Sequence, residues 1–420
     1  MPDQAQLEQM IARFAPTDVA ADTLKLADGD RQALDKIIQA ARLMDDIFLR
    51  QVWSGNVDLK AKLEADQSPL GQARLHYFMI NKGPWSRLDH NKPFVPGAPA
   101  EKPPEAGFYP DGISKGDFEA WAKGLSDADR KQAEGFFTVI RRDAGGKLKS
   151  VPYSQEYQQF LAPAAKLLQE AAGLTTNPTL KNFLSKRAEA FLSDNYYASD
   201  VAWMDLDAPI DVTIGPYETY EDELFGYKAA YEAFVTLRDD TESAKLVKFS
   251  GYLQELENNL PMEARYRNPK LGAASPIRVV DVVFTAGDGN RGVQTAAFNL
   301  PNDEQVVKEK GSKRVMLKNM QEAKFNKVLI PISKVALDPA QSSQISFDAF
   351  FTHILMHELL HGLGPHNITA GGSATTVRGQ LKELYSAIEE AKADITGLWA
   401  LQYLIDKGAI DRAMERDLYT

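Results

Sequence analysis

The sequence has no cysteine in 420 residues. That excludes a disulfide framework and thiol catalysis, and leaves both oxidising and reducing compartments open. No apolar run is long enough to span a bilayer, so a membrane is not an expected partner. The opening MPDQAQLEQMIARF lacks the basic and apolar regions of a signal peptide. As written the chain reads as soluble and cytoplasmic, or as an exported, periplasmic protein whose signal was removed. Positive charge is in deficit, 48 Lys and Arg against 58 Asp and Glu, for a net charge of −10. No basic patch with interleaved aromatics occurs, so nucleic acid is not an expected partner. The basic run VVKEKGSKRVMLK at 306–318 is short and mixed, and reads as a solvated strand-turn-strand face. No internal repeat is evident, and nothing in the sequence sets an oligomeric state. Histidine is scarce, with six residues. Their placement is therefore informative: His353, His357, His361 and His366 all fall within Ser346–His366.

That stretch, SFDAFFTHILMHELLHGLGPH, reads as a helix. Ser346 is its expected N-cap, Gly362, Gly364 and Pro365 its stop, and Phe350, Ile354, Leu355 and Leu359 its apolar wall. His357, Glu358 and His361 form H-E-x-x-H. Residues four apart share a helix face, so both histidines can ligate one ion. Glu358 then lies close enough to act as base on a water held by that ion. His353 reads as a support or core residue. Against this stands the plainer reading, a buried helix with incidental histidines.

A catalytic zinc wants a third protein ligand and an open position. His366 is one candidate, although it comes one residue early for the three-histidine class, with Asn367 where that class needs its histidine. The other lies in ELYSAIEEAKADITGLWALQYLI, residues 383–405, expected as a helix with Leu384, Ile388, Ile395 and Leu398 on its apolar side. Glu390 and Asp394 share a face there, one as metal ligand and the other as hydrogen-bond acceptor from a ligand histidine. Glu389 is the fallback ligand, about 100° round the helix. A solvated charge cluster is the plainer alternative.

Four motifs in chain order, ETY at Glu218–Tyr220, NLPND at Asn299–Asp303, HELLHG and EEAKAD, resemble the dipeptidyl-peptidase III family of zinc metallopeptidases. The likeness covers roughly residues 210–405. The family usually reads H-E-L-L-G-H and E-E-C-R-A-E. Here the second histidine comes one residue earlier, and Asp394 stands in place of glutamate. The resemblance implies one zinc ion on His357, His361 and Glu390, with Glu358 as base. It also implies Tyr220 as donor to the oxyanion, and Glu218, Asn299 and Asn302 as the grip on the substrate's terminal amine. It further implies an exopeptidase that removes dipeptides from short peptides by attack of a zinc-bound water. A zinc hydrolase of non-peptide bonds and a zinc-dependent peptide-binding protein are the other two readings. The family continues past its second zinc motif and carries a downstream histidine. No histidine follows His366 here, so the resemblance also implies either a shortened version or a fragment whose zinc lobe is incomplete.

The fold class expected is α+β, mostly helical, with a small β-sheet or barrel. Helix patterns run over 4–14, 30–54 (capped by Asp30), 115–142, 154–206 and 241–260. Strands are expected within IDVTIGPYETY and at 276–285 and 326–333. The Pro- and Gly-rich 81–115 reads as a long surface loop anchored by Trp85, Phe94 and Phe108. The resemblance implies two lobes around a cleft, with the chain crossing more than once. The expected divisions are a helical lobe over 1–238, an excursion at 239–275 packing with the zinc lobe, a β segment of the first lobe at 276–333, and the zinc lobe at 334–420.

Overall fold

The computed structural model describes residues 1–271, 276–381 and 384–420, and the chain adopts the expected α+β, mostly helical class. It folds into two compact units. The first contains Met1–Arg238 and Val280–Ser312, the second Asp239–Val279 and Lys313–Thr420.

In the first unit, helix α1 (Asp28–Val52) buries Leu34, Ile37, Ala41, Met44 and Phe48 along one stripe. It packs against α2 (Gln158–Leu174), and α2 packs against α3 (Pro178–Ser193). Strand β1 (Ile210–Glu218) runs antiparallel to β2 (Ala230–Arg238), which runs antiparallel to β3 (Ile277–Gly287). From Ile210 to Tyr217 every residue of β1 is buried, so the strand is covered on both faces. The register of β1 shifts between Pro216 and Glu218, and such a bulge re-aims the side chains beside it. The 81–115 segment is anchored as expected, with Trp85, Phe94 and Phe108 all buried.

In the second unit, α4 (Asp240–Ser250) and α5 (Leu253–Asn259) come first. Strand β4 (Lys313–Leu317) follows, and then α6 (Phe347–Leu360) and α7 (Tyr385–Asp406). Ser346 caps α6, its hydroxyl accepting from Ala349 N at 3.3 Å. Buried Glu257 of α5 secures the turn after α6, taking Gly364 N at 2.8 Å and Asn268 N at 2.6 Å. Between α6 and α7 lies a β-hairpin, Asn367–Ala370 with Ser373–Thr376, that the sequence reading did not foresee. Its turn is Gly371-Gly372, both at positive φ. Among the described residues no helix is long and apolar enough to cross a membrane.

Several expectations are corrected. Residues 326–333 are helical, a π turn over Phe325–Leu329 running into Ile330–Ala336. Their apolar run is not a buried strand, because Phe325 and Ser333 turn inward while Val328 and Ile332 stay exposed. Thr138–Arg142 is a strand paired with Leu148–Pro152. Gly135 and Gly146 punctuate it, and its Thr-Val-Ile core favours the pleat over the helix. The 306–318 run is a helix, Glu304–Lys310, then β4, whose Val315, Met316 and Leu317 are buried rather than solvated. Asp30 sits inside the first turn of α1, where its carboxylate takes the Thr175 hydroxyl at 2.6 Å instead of capping. The division expected after 333 falls at Ser312, and residues 272–275 of the excursion lie outside the described residues.

Candidate active site

Helices α6 and α7 pack through small side chains. Ala393, Gly397 and Ala400 of α7 are buried, and a Cβ on Gly397 would stand only 3.2 Å from His357 N. This close approach sets the rotation of α7. It also corrects the expected apolar side: Leu384, Ile388 and Ile395 are exposed, and the small residues are the face that packs. Glu383, the first residue of that expected helix, lies outside the described residues.

The rotation carries the carboxylates of α7 to the histidines of α6. His357, His361 and Glu390 are brought together, with ligand atoms all within 4.8 Å of one another. His357 Nε2 lies 3.0 Å from His361 Nε2 and 3.3 Å from Glu390 Oε2, and His361 Nε2 lies 3.8 Å from the same oxygen. Atoms at about 2.0–2.1 Å from a shared tetrahedral ion would be roughly 3.3–3.4 Å apart, so the spacing suits one.

The other ring nitrogens support the same conclusion. His357 Nδ1 meets Asp394 Oδ1 at 2.7 Å, and His361 Nδ1 meets Glu389 Oε1 at 2.9 Å. An ionised carboxylate only accepts, so each Nδ1 is the donor and Nε2 is the ring atom left to meet an ion. Both Nε2 atoms and a Glu390 carboxylate oxygen face one another, an arrangement that a cation suits. Glu389 is therefore a support of His361 rather than a member of the converging group. Burial would raise its carboxyl, but hydrogen bonds from Lys392, at 2.8 Å, and His361 outweigh it and hold it below the usual range. Asp394→Ala is expected to weaken metal affinity about 10–100-fold by freeing the His357 ring, as a competition titration with a chelating dye would show.

His353 Nε2 reaches the Asp394 carbonyl at 3.3 Å and so ties α6 to α7 beside the group. His366 is exposed and stands outside the group. Glu358 is not among the three converging residues. Its carboxylate is ion-paired with Arg314 of β4.

The remaining expected residues lie in the first unit. Glu218 ends β1 at the bulge. Burial, and then the charge of Asp288, push its carboxyl up against the opposing pull of Arg291. Tyr220 is 74% exposed on the following turn. Asn302 donates its amide Nδ2 to the Tyr217 carbonyl at 2.9 Å, which fastens it one residue from Glu218; its amide oxygen has no partner among the described residues. Asn299 is exposed on the strand Ala297–Leu300, before the cis Leu300-Pro301 bond.

The model of peptidase family M49 matches residues 138–366, more than half of the chain. The chain belongs to peptidase family M49. This M49 chain is 61% identical to a dipeptidyl-peptidase III structure from Corallococcus sp. strain EGB, covering 100% of this chain and 78% of that one at a TM-score of 0.83. It is 50% identical to a DPP III structure from Caldithrix abyssi, covering 98% and 78% at a TM-score of 0.93. A curated relative from Arabidopsis thaliana, named Nudix hydrolase 3, is 44% identical over 98% of this chain. The chain spans 60% of that relative's length. Membership of M49 implies a bound metal, which the His-His-Glu group fits.

Two further residues of the first unit carry perturbed carboxyls that the sequence did not single out. Glu232 is fully buried in β2, and its Oε1 has no hydrogen-bond partner among the described residues. Burial, then Asp288 and Glu218, drive its carboxyl well above the usual range. Its signal was a lone carboxylate inside the β-former run AYEAFVTL. Glu221, next to Tyr220, is held down to about 2: burial opposes ionisation, but Arg87, Lys102 and Arg291 outweigh it. Arg87 is 2.7 Å and Lys102 3.0 Å from it, so the 81–115 segment is what secures the E-T-Y turn.

Proposed function

We propose that the chain is a zinc-dependent exopeptidase that releases dipeptides from the N-termini of short peptides. The observation that carries this reading is the convergence of His357, His361 and Glu390, with both imidazoles fixed by carboxylates, in a chain of a peptidase family. Two imidazoles, one carboxylate and an open side are a donor set suited to catalytic zinc. When bound, zinc supplies Lewis acidity and a water that ionises near neutral pH.

The protein's groups do the rest. Glu358 accepts the proton of the attacking water and returns it to the leaving amine nitrogen. The Tyr220 hydroxyl donates to the oxyanion, and its exposure leaves it free to do so. Glu218, with Asn299 and Asn302, grips the substrate's terminal ammonium. Burial and the charge of Asp288 raise the carboxyls of both Glu218 and Glu232, and Arg291 only partly offsets this, so an incoming cation is favoured there.

The test is to offer a short peptide with a free amine and the same peptide N-acetylated. Dipeptide release from the first alone is expected. Equal cleavage of both, or release of single residues, contradicts the reading. Glu218→Gln should raise KM for the free peptide by the equivalent of about 1.5–3 kcal/mol, the worth of a charged hydrogen bond.

The same corner predicts a stability effect. A glutamate ionises near about 4.3 in the unfolded chain, and Glu232 does so at higher pH when folded. Between those values the unfolded state binds fewer protons, so stability falls as pH rises through that window. Glu232→Gln is expected to raise unfolding stability at pH 7 by about 1–3 kcal/mol and to gain little at pH 4, measured by denaturant unfolding at both.

A further inference from the structure

We infer that Arg314 is the positioning residue of the general base, a role that rests on the proposed hydrolysis. Glu358 occupies the last turn of α6, where the end of a helix is negative and its final carbonyls lack helical partners. The carbonyls of His357, Leu359 and Leu360 take the backbone N–H groups of His361, Gly362 and Leu363. The Glu358 carbonyl instead takes Arg314 Nη1, at 3.2 Å. The same Nη1 pairs with Glu358 Oε2. A carboxylate on that turn is repelled by the helix end behind it. One guanidinium nitrogen placed between carbonyl and carboxylate removes the repulsion and fixes the side-chain rotamer. The pair is largely shielded, with 26% and 16% of the two side chains exposed.

Arg314 is held from its own backbone, whose N–H donates to the Pro276 carbonyl at 2.9 Å. It therefore offers a fixed point to Glu358. A carboxylate has two oxygens. With Oε2 engaged by Arg314, Oε1 is the atom left to receive the water's proton and return it. Arg314 acts through Glu358, and its effect belongs in kcat.

The experiment is a double-mutant cycle on the zinc-loaded protein, with Arg314→Met, Arg314→Lys, Glu358→Gln and the Met/Gln double variant. Arg314→Met is expected to lower kcat about 100-fold, the typical consequence of a base misplaced by about 1 Å, with KM changed less than about threefold. Metal content should equal that of the wild type. Arg314→Lys should recover part of the loss, because an ammonium can reach one acceptor but lacks the rigid fork. In the Glu358→Gln background the methionine change should have no further effect on kcat. Unchanged kcat in Arg314→Met, a loss confined to KM, or a full 100-fold further loss in the Gln background overturns the inference. If the wild type itself hydrolyses no peptide, the proposed function fails. The pairing is then decided by denaturant unfolding of the wild type, Arg314→Met, Glu358→Gln and their double variant, where additive effects of the two substitutions refute it and non-additive effects support it.

Discussion

Glu358→Gln is expected to lose peptide hydrolysis about a thousandfold or more, a barrier rise of about 4 kcal/mol, while binding as much zinc as the wild type. The glutamine keeps the shape and the neutral hydrogen-bonding capacity of the side chain but cannot take a proton from water. It does not disturb the metal group, because Glu358 is not one of the three residues brought together there. The change should therefore separate chemistry from binding: kcat collapses, and metal content by elemental analysis stays equimolar. Retention of activity would remove Glu358 from the mechanism. Loss of metal would instead make it a ligand, against the geometry of His357, His361 and Glu390.

Glu390→Ala is expected to have the second large effect, on the metal itself. Outer partners of ligand histidines are worth about 10–100-fold in affinity, and a direct ligand that also carries the group's negative charge should exceed that, at about a thousandfold. The Glu390 side chain is 61% exposed, so its removal leaves no buried cavity and little folding cost to confuse the result. His366→Ala is the control. His366 is exposed, and among the described residues only its backbone carbonyl is engaged, by Val377 N at 2.9 Å. It should bind metal as the wild type does. The reverse pair of outcomes, metal lost with His366 and kept without Glu390, would move the chain to a three-histidine site and refute the role given to α7.

The convergence of His357, His361 and Glu390 was the most legible part of the sequence because helix geometry converts spacing into direction. His357 and His361 four apart, and Glu390 with Asp394 four apart, need only two packed helices to meet. What the spacing did not disclose was the rotation of α7. Leu384, Ile388 and Ile395 suggested an apolar packing face, yet α7 packs through Ala393, Gly397 and Ala400. Small residues are weak in hydropathy and strong in allowing approach, and only the partner helix reveals which matters. The strand expected at 326–333 failed for a related reason, since a short apolar run has no period that distinguishes a strand from a helical turn. Arg314 and Glu232 were illegible for another cause. Each acquires meaning from residues far away in sequence, Glu358 for one and Asp288 for the other. The departures from the usual family motifs are accommodated locally. His361 meets the group in the ordinary H-E-x-x-H manner, and Asp394, shorter by one methylene than glutamate, still reaches His357 at 2.7 Å.

The most direct test of the account is metal restoration read by product mass. The protein is stripped with a chelator, returned to one equivalent of zinc, and incubated with an eight-residue peptide bearing a free amine. The account predicts no cleavage without zinc. With zinc, it predicts products shortened from the N-terminus by two residues at a time, and the matching dipeptides. Cleavage that persists without metal, or a zinc-loaded protein that leaves the peptide whole or cuts it elsewhere, would contradict it.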